Sequence, residues 1–223
     1  MKLLAIDTTT NVLTVSVSDG EKILAEYYID HQRTHSQKLM PVVDRIISDA
    51  GVDISECDCF AVANGPGSFT GIRIGLAAAR NFAQATGKKV IPVCTLKALA
   101  FNASFTKGRV CAVLDARNNN LYCAVFSFRG KGCKTVLEPS FMSADELNAY
   151  LGLLRGKTFV VGECDAVCGD SIVKLDRRFN TPKASSVALA ALQEKAVHYN
   201  SAEAFYISKP QAQKDLEEKE KKQ

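Results

Sequence analysis

The 223 residues carry a formal net charge of +4, and 47% of them are hydrophobic. That length buries a substantial core as one large domain or two small lobes, and no stretch approaches the roughly 18 apolar residues of a membrane span. A mild positive balance is compatible with an RNA partner but does not argue for one.

The opening MKLLAIDTTT reads as a strand whose apolar run is too short for a signal-peptide core. A cytoplasmic, reducing setting is therefore expected, with the eight cysteines free and mostly buried as small hydrophobes. No CxxC pair occurs, which argues against a structural zinc site. Leu3 to Asp7 is an apolar run that ends in a carboxylate. Val12 to Ser18 alternates with period two, Asp19-Gly20 is a hairpin turn, and Lys22 to Ile29 returns as a third strand. A helix from about Ser36 carries Leu39, Met40, Val43 and Ile47 on one broad apolar face, with a kink or late start expected at Pro41.

Cys59 to Ala63 reads as a buried strand running into Asn64-Gly65-Pro66-Gly67-Ser68-Phe69. A helix over about Gly71 to Thr86 stops at Gly87. Lys89 to Val93 is a strand and Thr95 to about Ala103 a helix. The opening then recurs: VLD ends a strand at Asp115, Arg117 to Asn120 is a polar turn, and Leu121 to Phe128 is a strand. Lys157 to Gly162 reads as a strand and Ser185 to Val197 as an Ala-rich helix. Strands and helices repeated in this way predict an α/β fold. The boundaries read as a first lobe over 1–104, a shortened second lobe over 105–209, and a charged tail over 210–223.

The glycines at 65, 67 and 71 let backbone approach closely, either as a tight strand-to-helix turn or around an anion. The string has neither the Lys of a P-loop nor the G-x-G-x-x-G spacing. Gly71, Gly75, Ala79 and Ala83 are four apart and form one row of small residues on the helix. That row predicts close packing, either onto the chain's own sheet or against a helix of another subunit. Ile72 and Leu76 add apolar surface beside it.

The duplicated strand–Asp–loop–strand plan resembles the actin, sugar-kinase and Hsp70-like superfamily, whose two ribonuclease-H-like lobes hold nucleotide phosphates between hairpin loops. LLAIDTTT, HSQKLMPVVDRII, ANGPGSFTGIRIGLAAARNFA, VIPVCTLKALA, VLDARNNNLYCAVF and AFYISKPQA together resemble the TsaB (YeaZ) family, over most of the chain. The resemblance implies a non-catalytic subunit of the machinery that adds threonylcarbamoyl to N6 of the adenosine beside the anticodon, in tRNAs reading codons that start with A. It implies binding to the catalytic TsaD-type subunit, a TsaE-type ATPase as third member, tRNA reached indirectly through the complex, and a homodimer when alone. The implied contact surface comprises Ser36, Leu39, Met40, Val43 and Ile47 on the first helix, and Gly71, Ile72, Gly75, Leu76, Ala79 and Ala83 on the second.

In the TsaD subunit a helix after the glycine loop carries two metal-binding His residues four apart. The matching positions here are Thr95 and Leu99, so neither a metal site nor a catalytic residue is expected. His31 and His35 are also four apart but fall in a strand-to-helix connection, where His35 is expected to cap or pack. Asp7, Thr8, Thr9, Thr10, Asp115 and Arg117 fall at the superfamily's phosphate-loop positions. Gly162-Glu163 is the nearest approach to an adenosine loop and lacks its second glycine. The implied cleft is vestigial: no cofactor is held tightly by the chain alone, and ATP with Mg2+ enters only within the complex.

Two other functions compete with this one. A stand-alone ATP-dependent small-molecule kinase or metallopeptidase-like enzyme of the same superfamily finds no H-E-x-x-H or triad order in this sequence. A direct tRNA-binding module finds no arginine-rich stripe, and Arg73, Arg80, Lys88 and Lys89 read as solvated charges.

Overall fold

The computed structural model describes residues 1–30, 35–106, 108–130, 132–163 and 165–207. His31, Cys164, the tail over 210–223 and the close of AFYISKPQA lie outside the described residues. Strands β1 (Lys2–Asp7), β2 (Val12–Asp19) and β3 (Lys22–Asp30) form the expected antiparallel meander. Strands β4 (Cys59–Ala63) and β5 (Lys89–Val93) add in parallel beside β1, giving the order β3-β2-β1-β4-β5.

The second sheet is built from β6 (Arg109–Asp115), β7 (Asn120–Arg129), β8 (Gly132–Ser143), β9 (Thr158–Gly162) and β10 (Ile172–Lys174). Its order is β10-β9-β6-β7-β8, the same arrangement as the first sheet. The repeat seen in the sequence is thus a repeat of topology: a meander of three, then two parallel strands beside the first. The fold is of the actin, sugar-kinase and Hsp70-like class, with two such lobes.

Among the described residues five α-helices complete the layers. Helix α1 (His35–Ala50) runs continuously through Pro41, which is exposed, and α2 (Phe69–Thr86) ends at Gly87 in the left-handed conformation, φ 68°. Both cover one face of the first sheet, where Leu4, Ile6, Val15, Leu39, Val43, Ile46, Phe60 and Ile72 form a core. Helices α3 (Thr95–Phe101) and α5 (Ala184–Ala191) fill the space between the sheets, packed on Leu3, Ala5, Val93, Val110, Ala112, Phe126 and Val161. Helix α4 (Ala144–Gly152) covers the far face of the second sheet.

The second sheet ends at Lys174, and the chain beyond residue 183 returns to the first lobe. Helix α5 has no cap from its own flank; its first amides are satisfied across the fold instead. Ala184 N donates to Thr14 Oγ1 (3.2 Å) and Ser185 N to Glu26 Oε1 (2.8 Å). A carboxylate at that end also complements the helix dipole. The helix ends at Ala191, six residues short of the expected end, and Val197 bridges to Val90. The lobe boundary expected at 209 is therefore crossed early, near 184.

Asn102 couples the two central helices. Its amide donates to Phe179 O and Thr181 O (both 2.8 Å), and its Oδ1 accepts from Ser186 Oγ (2.6 Å). Asn102→Ala strands one buried and two half-buried partners at once and is expected to cost about 2–3 kcal/mol, read as a lower urea midpoint at unchanged m-value.

Candidate functional site

Two features carry the chemistry anticipated from the sequence: the Asp-ended hairpin loops and the outer helices. Asp7 closes β1 and is wholly buried. Its Oδ1 accepts from Thr9 N (2.8 Å) and Thr9 Oγ1 (2.7 Å), while its Oδ2 has no partner. Burial pushes the Asp7 carboxyl up to about 6, against the opposing pull of the Thr9 bonds and the nearby His35. Asp115 repeats the local turn, accepting from Arg117 N at 2.8 Å, but it is exposed. Arg117, Asn118 and Asn119 follow with φ of 66°, 51° and 60°, three successive left-handed residues.

The first loop is occupied by its own chain. Thr8 Oγ1 donates to Gly71 O (2.7 Å), Thr9 O accepts from Ser68 N (2.7 Å), and Thr10 Oγ1 accepts from Val12 N (3.2 Å). His35 Nε2 donates to Thr10 O (2.7 Å), so His35 ties the start of α1 to this loop, the packing role expected of it. The glycines are needed because backbone meets backbone here. A Cβ on Gly67 would lie 2.4 Å from Thr9 O, one on Gly71 1.9 Å from Thr8 O, and one on Gly65 2.2 Å from Phe205 O. Of the alternatives for this string, the tight turn is what the structure shows. Ser68 Oγ caps α2 by accepting from Gly71 N (3.2 Å). In the second lobe Gly162 serves the same end, a Cβ there lying 1.8 Å from Val113 O.

The small-residue row of α2 faces inward. Gly71, Ile72, Gly75, Leu76, Ala79 and Ala83 are all buried, and Gly75 lies against Thr8 Oγ1 and Val62. The partner-facing reading of these six is corrected: a row of small side chains defines a close approach, and β1 and β4 make that approach. Leu39 and Val43 of α1 are buried as well, whereas Ser36 and Met40 are exposed and Ile47 half-buried. The outer side of α2 is instead formed by Thr70, Arg73, Ala77 and Asn81, with Ile74 and Ala78 half-buried beside them. Spacing alone could have placed Ala77 and Ile74 opposite the small row.

Arg73 and Arg80 are not merely solvated. The Arg73 guanidinium lies 3.8 Å over the Phe69 ring, and Arg80 donates to Tyr199 O and Asn200 O (both 2.9 Å). Arg73 Nε also donates to Tyr206 Oη (3.4 Å), so both arginines hold the returning C-terminal segment along α2. Thr95 and Leu99 are fully buried, and Thr95 Oγ1 accepts from Gly65 N (3.2 Å). Among the described residues no three His, Cys, Asp or Glu side chains converge, seven cysteines form no disulfide, and no helix is long and apolar enough to cross a membrane.

A family model described as TsaD, tRNA N6-adenosine threonylcarbamoyltransferase, matches residues 22–217. The tRNA threonylcarbamoyladenosine biosynthesis protein TsaB of Bacillus subtilis is 30% identical over 158 residues, 70% of this chain and 67% of that protein. The chain belongs to the TsaB (YeaZ) family. The TsaB protein of Haemophilus influenzae is 36% identical over 126 residues, 55% of this chain and 52% of its own length. The matched span is thus between about half and two thirds of these curated TsaB relatives. YeaZ from Pseudomonas aeruginosa superposes with a TM-score of 0.82 at 26% identity, covering 92% of this chain and 99% of that one.

Proposed function

We propose that this TsaB-family chain is a non-catalytic subunit that binds and supports a TsaD-type transferase in making threonylcarbamoyladenosine in tRNA. The observation that carries the proposal is the outer surface of α1 and α2. Met40 is 52% exposed, Ala77 is exposed, and Ile47, Ile74 and Ala78 are half-buried extensions of the core beneath. Exposed apolar side chains on adjoining helices suit a helix–helix contact, with the partner subunit or between two copies of the chain.

The site chemistry supports the absence of an own catalytic role. The hydroxyls of Thr8, Thr9 and Thr10 are engaged within the chain, so the first loop offers no free cradle to nucleotide phosphates. The positions matched to the metal-binding pair of TsaD are core residues, Thr95 and Leu99. ATP with Mg2+ and a TsaE-type ATPase belong, on this reading, to the assembled complex, and the setting is cytoplasmic.

Light scattering after gel filtration tests this, with the TsaD-type subunit of the same organism. Wild type is expected to form a complex. Met40→Asp and Ala77→Arg alter exposed positions, so they should leave the melting temperature unchanged yet weaken the complex at least tenfold, about 1.4 kcal/mol. Complexes of undiminished affinity from both folded variants would overturn the assignment of this face. If folded wild type forms no complex at all, the partner reading itself fails.

A further inference from the structure

A cavity opens at the end of the second sheet opposite its Asp-ended hairpin loop. Asp115 ends β6, whereas Arg109 begins it. Around Arg109 a cavity of about 740 Å³ is lined by Phe105, Arg129, Arg155 and Lys157, with glycines at 108, 130 and 156. None of the described residues lining it is acidic. Arg109 is spent on structure: its guanidinium donates to Arg155 O and Gly156 O, which fixes the loop between α4 and β9. Arg129, Arg155 and Lys157 are exposed around the opening.

The aromatic wall is equally directional. Phe105 is 65% exposed and its ring stands 5.4 Å from that of Phe179. Phe179 in turn has the Arg178 guanidinium 5.1 Å and the Lys183 ammonium 5.8 Å from its centroid. A concave surface with three exposed cations, an open aromatic face and glycine-rich edges matches what a single-stranded nucleic acid needs: charges that track phosphates and a ring on which a base stacks.

We infer that this cavity binds a single-stranded segment of RNA, with phosphates on Arg129, Arg155 and Lys157 and a base against Phe105. Phosphate contacts of this kind are sequence-independent and give affinity and position. The exposed ring favours RNA over an acidic protein surface, which would use the cations alone. The preference for RNA over another polyanion rests on the tRNA-pathway reading above; the cavity's charge and shape do not. The site also lies away from the outer face of α1 and α2, so the two can be tested apart.

Fluorescence anisotropy of the full chain against a labelled single-stranded RNA dodecamer and a tRNA transcript, at 50 and 200 mM salt, decides the matter. Three phosphate contacts on a single strand predict roughly a 20-fold loss of affinity across that salt range. Arg155→Glu with Lys157→Glu is expected to weaken RNA binding by about tenfold or more and to flatten the salt dependence. Phe105→Ala is expected to weaken it several-fold with the salt slope unchanged. The matched reversal Lys88→Glu with Lys89→Glu, in the first lobe, should leave binding as it is. Equal losses from both double reversals would reduce the effect to diffuse attraction and overturn the site. So would unchanged RNA affinity in the Arg155 and Lys157 variant, and if that variant instead loses the TsaD-type subunit, the cavity serves an acidic protein. RNA binding that depends on the cavity while no subunit complex forms would leave this inference standing and fail the partner proposal.

Discussion

Replacing Gly71 by alanine is expected to destabilise the chain by about 3 kcal/mol or more, far beyond the ordinary cost of a surface change. The new Cβ would sit 1.9 Å from Thr8 O and 3.1 Å from the Thr8 carbonyl carbon. Both are backbone atoms, in a loop that is held by Ser68 N on Thr9 O and by His35 on Thr10 O. No side-chain rotation relieves the clash; α2 must part from the β1–β2 loop. Gly87→Ala is the control. It changes a left-handed cap with no atom within 4 Å, so only the backbone conformation opposes it, at about 1 kcal/mol. Urea midpoints of the two variants check the contrast. A Gly71→Ala protein that unfolds at the wild-type midpoint would refute the close approach. Gly75→Leu is destabilising on a different ground: its Cβ alone would lie 2.6 Å from Thr8 Oγ1 and 3.3 Å from Val62 Cγ2, and the rest of the side chain has no room in the buried seam, so its failure to join a complex would report misfolding and say nothing about an interface.

That contrast marks where the sequence was legible and where it was not. The repeated strand–Asp–loop–strand string, the β1–β3 meander, and Gly87 as the stop of α2 are local patterns, and the structure follows them closely. The four-residue spacing of Gly71, Gly75, Ala79 and Ala83 correctly signals close packing, but periodicity names a face without naming its neighbour. Strand β8 escapes notice because it is a sheet edge: its burial alternates between exposed and half-buried, and Pro139 interrupts it. Helix α4 had a readable signal, the capping box in which Ser143 and Glu146 satisfy one another's backbone amides. The return of residues 184–207 to the first lobe was beyond reach. It depends on Thr14, Glu26, Asn64 and Arg80, each more than 100 residues from its partner. The basic cavity was hidden for the same reason, since Arg109, Arg129 and Arg155 are brought together only by the second sheet.

The two equivalent aspartates differ in a way that makes Asp7 the sharper probe of the vestigial cleft. Asp7 is buried with Oδ2 unpartnered and titrates near 6, above the ordinary 3.8. A carboxyl raised in the folded state holds its proton longer folded than unfolded. The folded protein therefore binds more protons between about pH 4 and about 6, and stability falls as pH rises through that window. The shift corresponds to about 3 kcal/mol lost by pH 7. Asp49, Asp53, Glu56 and Glu146 act with the opposite sign and at lower pH, because their hydrogen bonds hold them below their usual values. The difference between wild type and Asp7→Asn isolates the buried group. The amide keeps an acceptor for Thr9 and cannot ionise, so the variant is expected to lose the downward slope and to be at least as stable as wild type at pH 8. Denaturant midpoints at half-unit steps from pH 4 to 8 give both curves. Parallel curves would mean that Asp7 is not buried as a charge, and would reopen the first hairpin loop as a hydrated, ligand-accessible site. Divergence in the expected sense means that the carboxylate persists at a stability cost, in a loop whose hydroxyls have already been turned to holding the fold together.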